Sequence, residues 1–228
     1  MLFGVIRNVI SGQHVDLWAA AAQVLSIFFV IFCILPLHEF AHGWVANKLG
    51  DPTAKLEGRL TMNPLASVEP MGALALLLFG FGWAKPVPVD PRYFKKPKRG
   101  MALTALAGPV SNFLLAVLAL LPAGALLNGT LGYGDGAIRL VYFLMDVSLL
   151  SIGLGIFNLL PIPPLDGSKV LFSILPDRVY AKLLRYERYG FFVLLAIMYF
   201  DIGSKFLSEA INAVFLFLWR VCVGIPIG

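Results

Sequence analysis

Residues 17–48 read LWAAAAQVLSIFFVIFCILPLHEFAHGWVANK. From Leu17 to Leu37 there is no charged side chain, and that length matches the roughly 20 residues that an α-helix needs to cross a ~30 Å hydrocarbon core. The run then meets two histidines and a glutamate before any basic residue. An apolar helix that ends in ionisable groups is read as a membrane helix carrying a functional site, because such groups are costly in lipid.

Working outward, the same character continues along the chain. The 228 residues are 59% hydrophobic and 14% charged, against about 25% charged in a soluble domain. Further apolar stretches lie at 101–127, 138–160, 188–200 with flanks, and 206–223. The expected fold class is therefore a membrane all-α bundle of about five full spans, a single integral-membrane domain over 1–228. Its catalytic core is expected over about 17–175, with further helices at 186–224. Leu2–Ile10 is short enough to be a helix lying on the bilayer. Cys33 and Cys222 both fall in apolar segments without CxxC spacing, which favours packing over metal binding or a disulfide.

The net charge of +5 is not spread evenly. Basic residues gather after the first span (Lys48, Lys55, Arg59), before the second (Lys85, Arg92, Lys95, Lys96, Lys98, Arg99) and after the third (Lys169, Arg178, Lys182, Arg185, Arg188). The positive-inside rule puts these loops in the cytoplasm and offers a better account of the charge than nucleic acid does. For all three to share a side, Met71–Trp83 must enter and return. At 13 residues with Gly72, Gly80 and Gly82, it has the length of a re-entrant segment. Lys85-Pro-Val-Pro-Val-Asp90 is then extended, since prolines exclude helix, and gives a short extended or β-hairpin element able to take up an unwound chain.

The chemistry sits in His38-Glu39-Phe40-Ala41-His42. On a helix, positions i and i+4 share a face, so two imidazoles can bind one Zn2+ while the intervening Glu39 acts as general base. A catalytic zinc site needs a third protein ligand and an open position. His14 precedes the first span and falls on the wrong side, which leaves Asp146, Asp166 and Asp201. Asp166 alone lies at the cytoplasmic end of its span, level with His38 and His42. It follows Pro161, Pro163 and Pro164, which break the helix, and precedes Gly167. Its bland alternative is an N-cap for a helix beginning at Ser168.

Three features together resemble the site-2 protease family of intramembrane zinc metalloproteases: HExxH in the first span, Gly108-Pro-Val-Ser-Asn112 in the second, and Asn158 followed by Pro-Leu-Asp-Gly167 in the third. Gly-Arg-Leu-Thr-Met-Asn-Pro-Leu (58–65) and Gly-Trp-Ala-Lys-Pro-Val-Pro-Val (82–89) resemble its compact prokaryotic branch, which lacks PDZ and CBS modules. The resemblance covers about residues 30–175. It implies one Zn2+ on His38, His42 and Asp166, with Glu39 as catalytic acid and base. Asn158 and Asn112 are implied as substrate-binding or oxyanion residues. The substrate is implied to be a transmembrane protein, met in the lipid bilayer of a prokaryotic plasma membrane with the active site toward the cytoplasm. Many relatives carry His and Asp after Asn-Pro-Leu, where this chain has Ser67 and Glu69. A metal transporter and an inactive member of the family are the competing readings; neither needs Glu39 between two histidines.

Overall fold

The computed structural model describes residues 24–79, 82–129, 134–200 and 202–225. Leu2–Ile10, His14 and Asp201 lie outside them. Helix α1 is Val24–Lys48. Two single-turn helices follow, α2 (Thr53–Leu56) and α3 (Pro64–Ser67), and then α4 (Pro70–Phe79). The long helices α5 (Pro97–Leu127) and α6 (Asp135–Asn158) come next. The chain ends in α7 (Asp166–Ser173), α8 (Asp177–Tyr199) and α9 (Ser204–Cys222).

Helices α1, α5 and α6 are long and apolar enough to cross a membrane. The two further spans expected near the C-terminus form instead a pair, Tyr189–Tyr199 and Ser204–Cys222, bent by 89°. Among the described residues three helices are long and apolar enough to cross, or four if that pair is one broken span, beside the five expected. The reason lies in the residues. The first half of α8 is polar, its apolar half is short, and Gly203 at φ 84° turns the chain in a conformation that favours glycine.

Helix α5 organises the molecule. Most of the residues it buries are small, among them Ala105, Gly108, Ser111, Ala116, Ala119, Ala123 and Gly124. Small residues let helix backbones approach closely, which is how membrane helices associate. Its C-terminal half builds the core: Ala116 and Leu120 pack with Ile152 of α6 and with Phe215 and Trp219 of α9. At Gly124 a Cβ would collide with the backbone of Cys222, and the Asn128 amide donates to Gly124 O (2.9 Å) and Val223 O (3.1 Å), tying α9 to α5. The outward faces keep Phe28, Phe32, Leu114, Leu118, Ile138 and Tyr142 exposed, an apolar surface that suits lipid rather than water.

The two ends of the segment expected to turn back lie together. Val68 and Ala84 form an isolated antiparallel bridge, so the two ends of the excursion meet. Helix α4 rises about 15 Å, half of the hydrocarbon core. The return is tight: a Cβ on Gly72 would collide with the backbone of Trp83, and one on Gly82 with Gly72 and Leu76. Glu69 caps α4, its Oε2 accepting from Gly72 N at 2.6 Å, and Ser67 O accepts from Lys85 N at 2.9 Å. Among the described residues no strand forms; residues 84–90 are extended with that single bridge.

Candidate metal centre

His38 and His42 stand one turn apart on α1, both buried. A π turn, Val30–Ile34, lies just before Pro36. Such wide turns absorb local mismatch in a helix and recur at functional sites; here Pro36 has no N–H to give to the preceding turn. Beyond it the helix is regular through His42, which keeps the i, i+4 register of the two imidazoles.

Asp166 reaches them from α7. Helix α6 ends at Asn158, and the proline-rich stretch reverses the chain so that α7 starts at Asp166 itself. The aspartate is therefore not an N-cap for a later helix: Leu165 occupies the cap position, and Ser168 Oγ donates to Leu165 O at 2.7 Å. A Cβ on Gly167 would collide with the carbonyl of Leu159, so the reversal requires glycine there.

The three donor atoms converge. Asp166 Oδ2 lies 3.2 Å from Nε2 of His38 and 3.2 Å from Nε2 of His42, and the two Nε2 atoms are 3.0 Å apart. A tetrahedral zinc with bonds of about 2.0–2.1 Å has ligand edges of roughly 3.3 Å, so this triangle is close to one face of such a site. Asp166 Oδ2 is also buried and makes no hydrogen bond, and an orphaned buried carboxylate oxygen between two imidazoles is what a cation satisfies. The residues fit zinc. Burial pushes the Asp166 pKa up, but the imidazoles beside it hold the carboxyl below the usual carboxylate range, in the ionised form a ligand needs.

The far nitrogens of both rings are engaged. His42 Nδ1 donates to Thr104 O at 2.7 Å, which fixes the tautomer that leaves Nε2 free for metal. Asn112 Nδ2 lies 3.1 Å from His38 Nδ1, while Asn112 Oδ1 is buried without a partner. Turning that carboxamide over, a choice set by the hydrogen-bond network, lets His38 Nδ1–H donate to Oδ1 and gives His38 the same tautomer. Thr104 and Asn112 both belong to α5, and between them Gly108 passes against the rings. A Cβ on Gly108 would collide with Nε2 of both histidines.

A cavity of about 690 Å³ opens on this cluster. His38, Glu39, His42 and Asp166 line it, with Val87 on one side and Phe191 on another. Glu39 is half-buried, and its Oε2 accepts from Val87 N at 2.9 Å. Of the two expected asparagines, Asn158 lines the cavity, with its amide donating to Leu154 O at 2.9 Å. Asn112 does not; fully buried, it stands behind His38. Asp146 is not part of the cluster, which among the described residues consists of His38, His42 and Asp166. Sequence reasoning missed Thr104, whose contribution is a backbone carbonyl, and Lys169, whose Nζ lines the cavity 3.9 Å from Asp166 Oδ1. Lys169 follows Asp166 by three residues, so helical spacing alone pairs the two.

Residues 133–200 match Peptidase family M50. YwhC of Bacillus subtilis, which carries a zinc metalloprotease assignment, is 42% identical over 182 residues, 78% of this chain and 81% of its own. Rip2 of Mycolicibacterium smegmatis, with an assignment of the same kind, is 30% identical over 199 residues, 79% of this chain and 73% of that protein. The Regulator of sigma E protease of Haemophilus influenzae is 40% identical over a shorter 74 residues, 28% of this chain and 17% of its own. No solved structure matches the chain.

Proposed function

The chain belongs to peptidase family M50 and is a zinc metalloprotease, and from that premise we propose that it hydrolyses peptide bonds in or near transmembrane helices of other membrane proteins. His38, His42 and Asp166 hold the zinc and Glu39 is the general base and acid. The observation that carries this is the meeting of three buried donors, 3.0–3.2 Å apart, in a cavity that Glu39 also lines. Bound there, zinc supplies a Lewis acid that polarises a carbonyl and lowers the pKa of water.

The protein's own residues do the rest. Thr104 O and Asn112 hold the two imidazoles in one tautomer and orientation. Glu39 takes a proton from the attacking water and hands it to the amine nitrogen as the peptide bond breaks. A helical substrate hides its carbonyls in its own hydrogen bonds, so it unwinds before cleavage. The extended residues 85–89, with Pro86, Val87 and Val89 on the cavity, offer a surface for the unwound chain to lie along. Asn158 faces the same space and is the candidate to contact the substrate carbonyl. The reading takes helix α4 into the bilayer and back, with the cell membrane as the site of action and the centre toward the cytoplasm; the positive-inside rule applied to the basic loops supports that orientation.

Glu39→Gln tests the assignment. The purified variant should keep one zinc per chain by elemental analysis and lose cleavage of a synthetic transmembrane peptide by about 100-fold or more. Cleavage at the wild-type rate would remove Glu39 from the mechanism.

A further inference from the structure

We propose that Arg59 is a positioning residue for this reaction, setting the Glu39 carboxylate through a single peptide plane in the extended segment. The inference rests on the reading of Glu39 as the base. Arg59 Nη2 donates to Lys85 O at 2.7 Å and to Pro86 O at 3.2 Å, and Nη1 donates to Ala66 O. One planar guanidinium thus gathers carbonyls from the α3 turn and from the extended segment, a use of its fixed fork that a lysine cannot copy in full. No ion pair among the described residues includes Arg59. Its own backbone is anchored, with N donating to Ala54 O at 2.8 Å.

The segment it grips is short of means to hold itself. Pro86 and Pro88 have no N–H, so the backbone pairing that would fix a strand is missing at alternate positions. What remains is Lys85 N donating to Ser67 O and the Val68–Ala84 bridge. Arg59 does not replace those N–H groups; it holds the segment by its carbonyls, Lys85 O and Pro86 O.

The decisive feature is the bond between Pro86 and Val87. Its carbonyl oxygen accepts from Arg59 and its N–H donates to Glu39 Oε2 at 2.9 Å. The C=O and N–H of a trans peptide lie in one rigid plane and point to opposite sides. Arg59 and Glu39 therefore hold the two ends of one plate. The direction of the Val87 N–H, and with it the carboxylate oxygen it restrains, follows from where the guanidinium holds the carbonyl. Loss of that hold lets the plate rotate and the base wander, while the zinc ligands, on other elements, stay in place.

The test is a cycle on the purified full chain with a synthetic Leu-Ala transmembrane peptide bearing a fluorophore and a quencher. Arg59→Met removes the donors and keeps bulk; Val87→Pro removes the N–H in backbone already extended between two prolines. Each should lower kcat about 10-fold or more with bound zinc unchanged, and Arg59→Met, which leaves the cavity lining intact, should alter KM by less than about twofold. Arg59→Lys should recover part of the loss. The double variant should be no slower than Val87→Pro alone, because both act through one plate. Unchanged kcat in Arg59→Met, multiplying losses in the double variant, or a loss in Arg59→Met confined to KM would each overturn the proposal. If Arg59→Met does not fold, Arg59→Lys takes its place in the same cycle. Glu39→Gln run alongside separates the two readings. A wild-type rate there defeats Glu39 as base, whereas a dead Glu39→Gln beside a fully active Arg59→Met defeats only the role of Arg59.

Discussion

Gly108 carries more of this site than its lack of a side chain suggests. It lets α5 pass against the two imidazoles, and any Cβ there meets their Nε2 atoms. Gly108→Ala is expected to abolish zinc retention in the purified protein while leaving helix content by circular dichroism unchanged. Asn112→Leu should act more gently, weakening zinc affinity about 10- to 100-fold in chelator competition, since it removes a partner of a ligand and not the ligand. How far the site could be read in sequence divides along the same line. The i, i+4 spacing of His38 and His42 is covalent information, and Asp166 followed from charge placement and the proline break before it. The Thr104 carbonyl leaves no mark in sequence, because every residue has one. Asn112 was visible as a motif member but not as a partner of His38, because which groups a buried amide faces depends on how α1 and α5 pack.

Among the elements, the α4 excursion is the most constrained. Gly72 and Gly82 allow the returning chain to lie on the helix that brought it in, and Glu69 closes the first turn. Gly72→Val should keep the chain from returning along this path. It is expected to reduce cleavage of the transmembrane peptide about 10-fold or more, with zinc content unchanged, since α4 contributes no ligand. The sequence length and the glycines made this turn legible. The C-terminal helices were less so: apolar runs at 188–200 and 206–223 read as two spans, and their helices form a pair bent by 89°. Apolar content sets what a helix tolerates as solvent, but the axis of a helix is set by what it packs against. Here α9 follows α5 and α6 through Phe215 and Trp219.

For the whole molecule, the exposed Phe, Leu and Ile side chains around α1, α5 and α6 suit a face covered by lipid, and the orientation proposed from the basic loops is open to a direct test. In a Cys33→Ser, Cys222→Ser background expressed in bacterial cells, Gly134→Cys should react with a membrane-impermeant maleimide in intact cells. Lys96→Cys should react only after permeabilisation. Labelling of Lys96→Cys in intact cells would invert the topology. Within that frame Asp51 fixes a dimension of the molecule. Fully buried just beyond α1, it accepts from Asp90 N at 2.7 Å and from Thr53 N at 2.9 Å. Glu39 meets the same segment at Val87, three residues before Asp90. Held at both places, residues 87–90 cannot slide along their own direction, and a slip of one residue would turn every side chain to the opposite face. On the proposed function, a substrate laid beside them would be measured as by a ruler whose zero is the metal. The bond that is cut would be chosen by its distance along the chain, and the amino acids flanking it would matter chiefly through how readily they unwind.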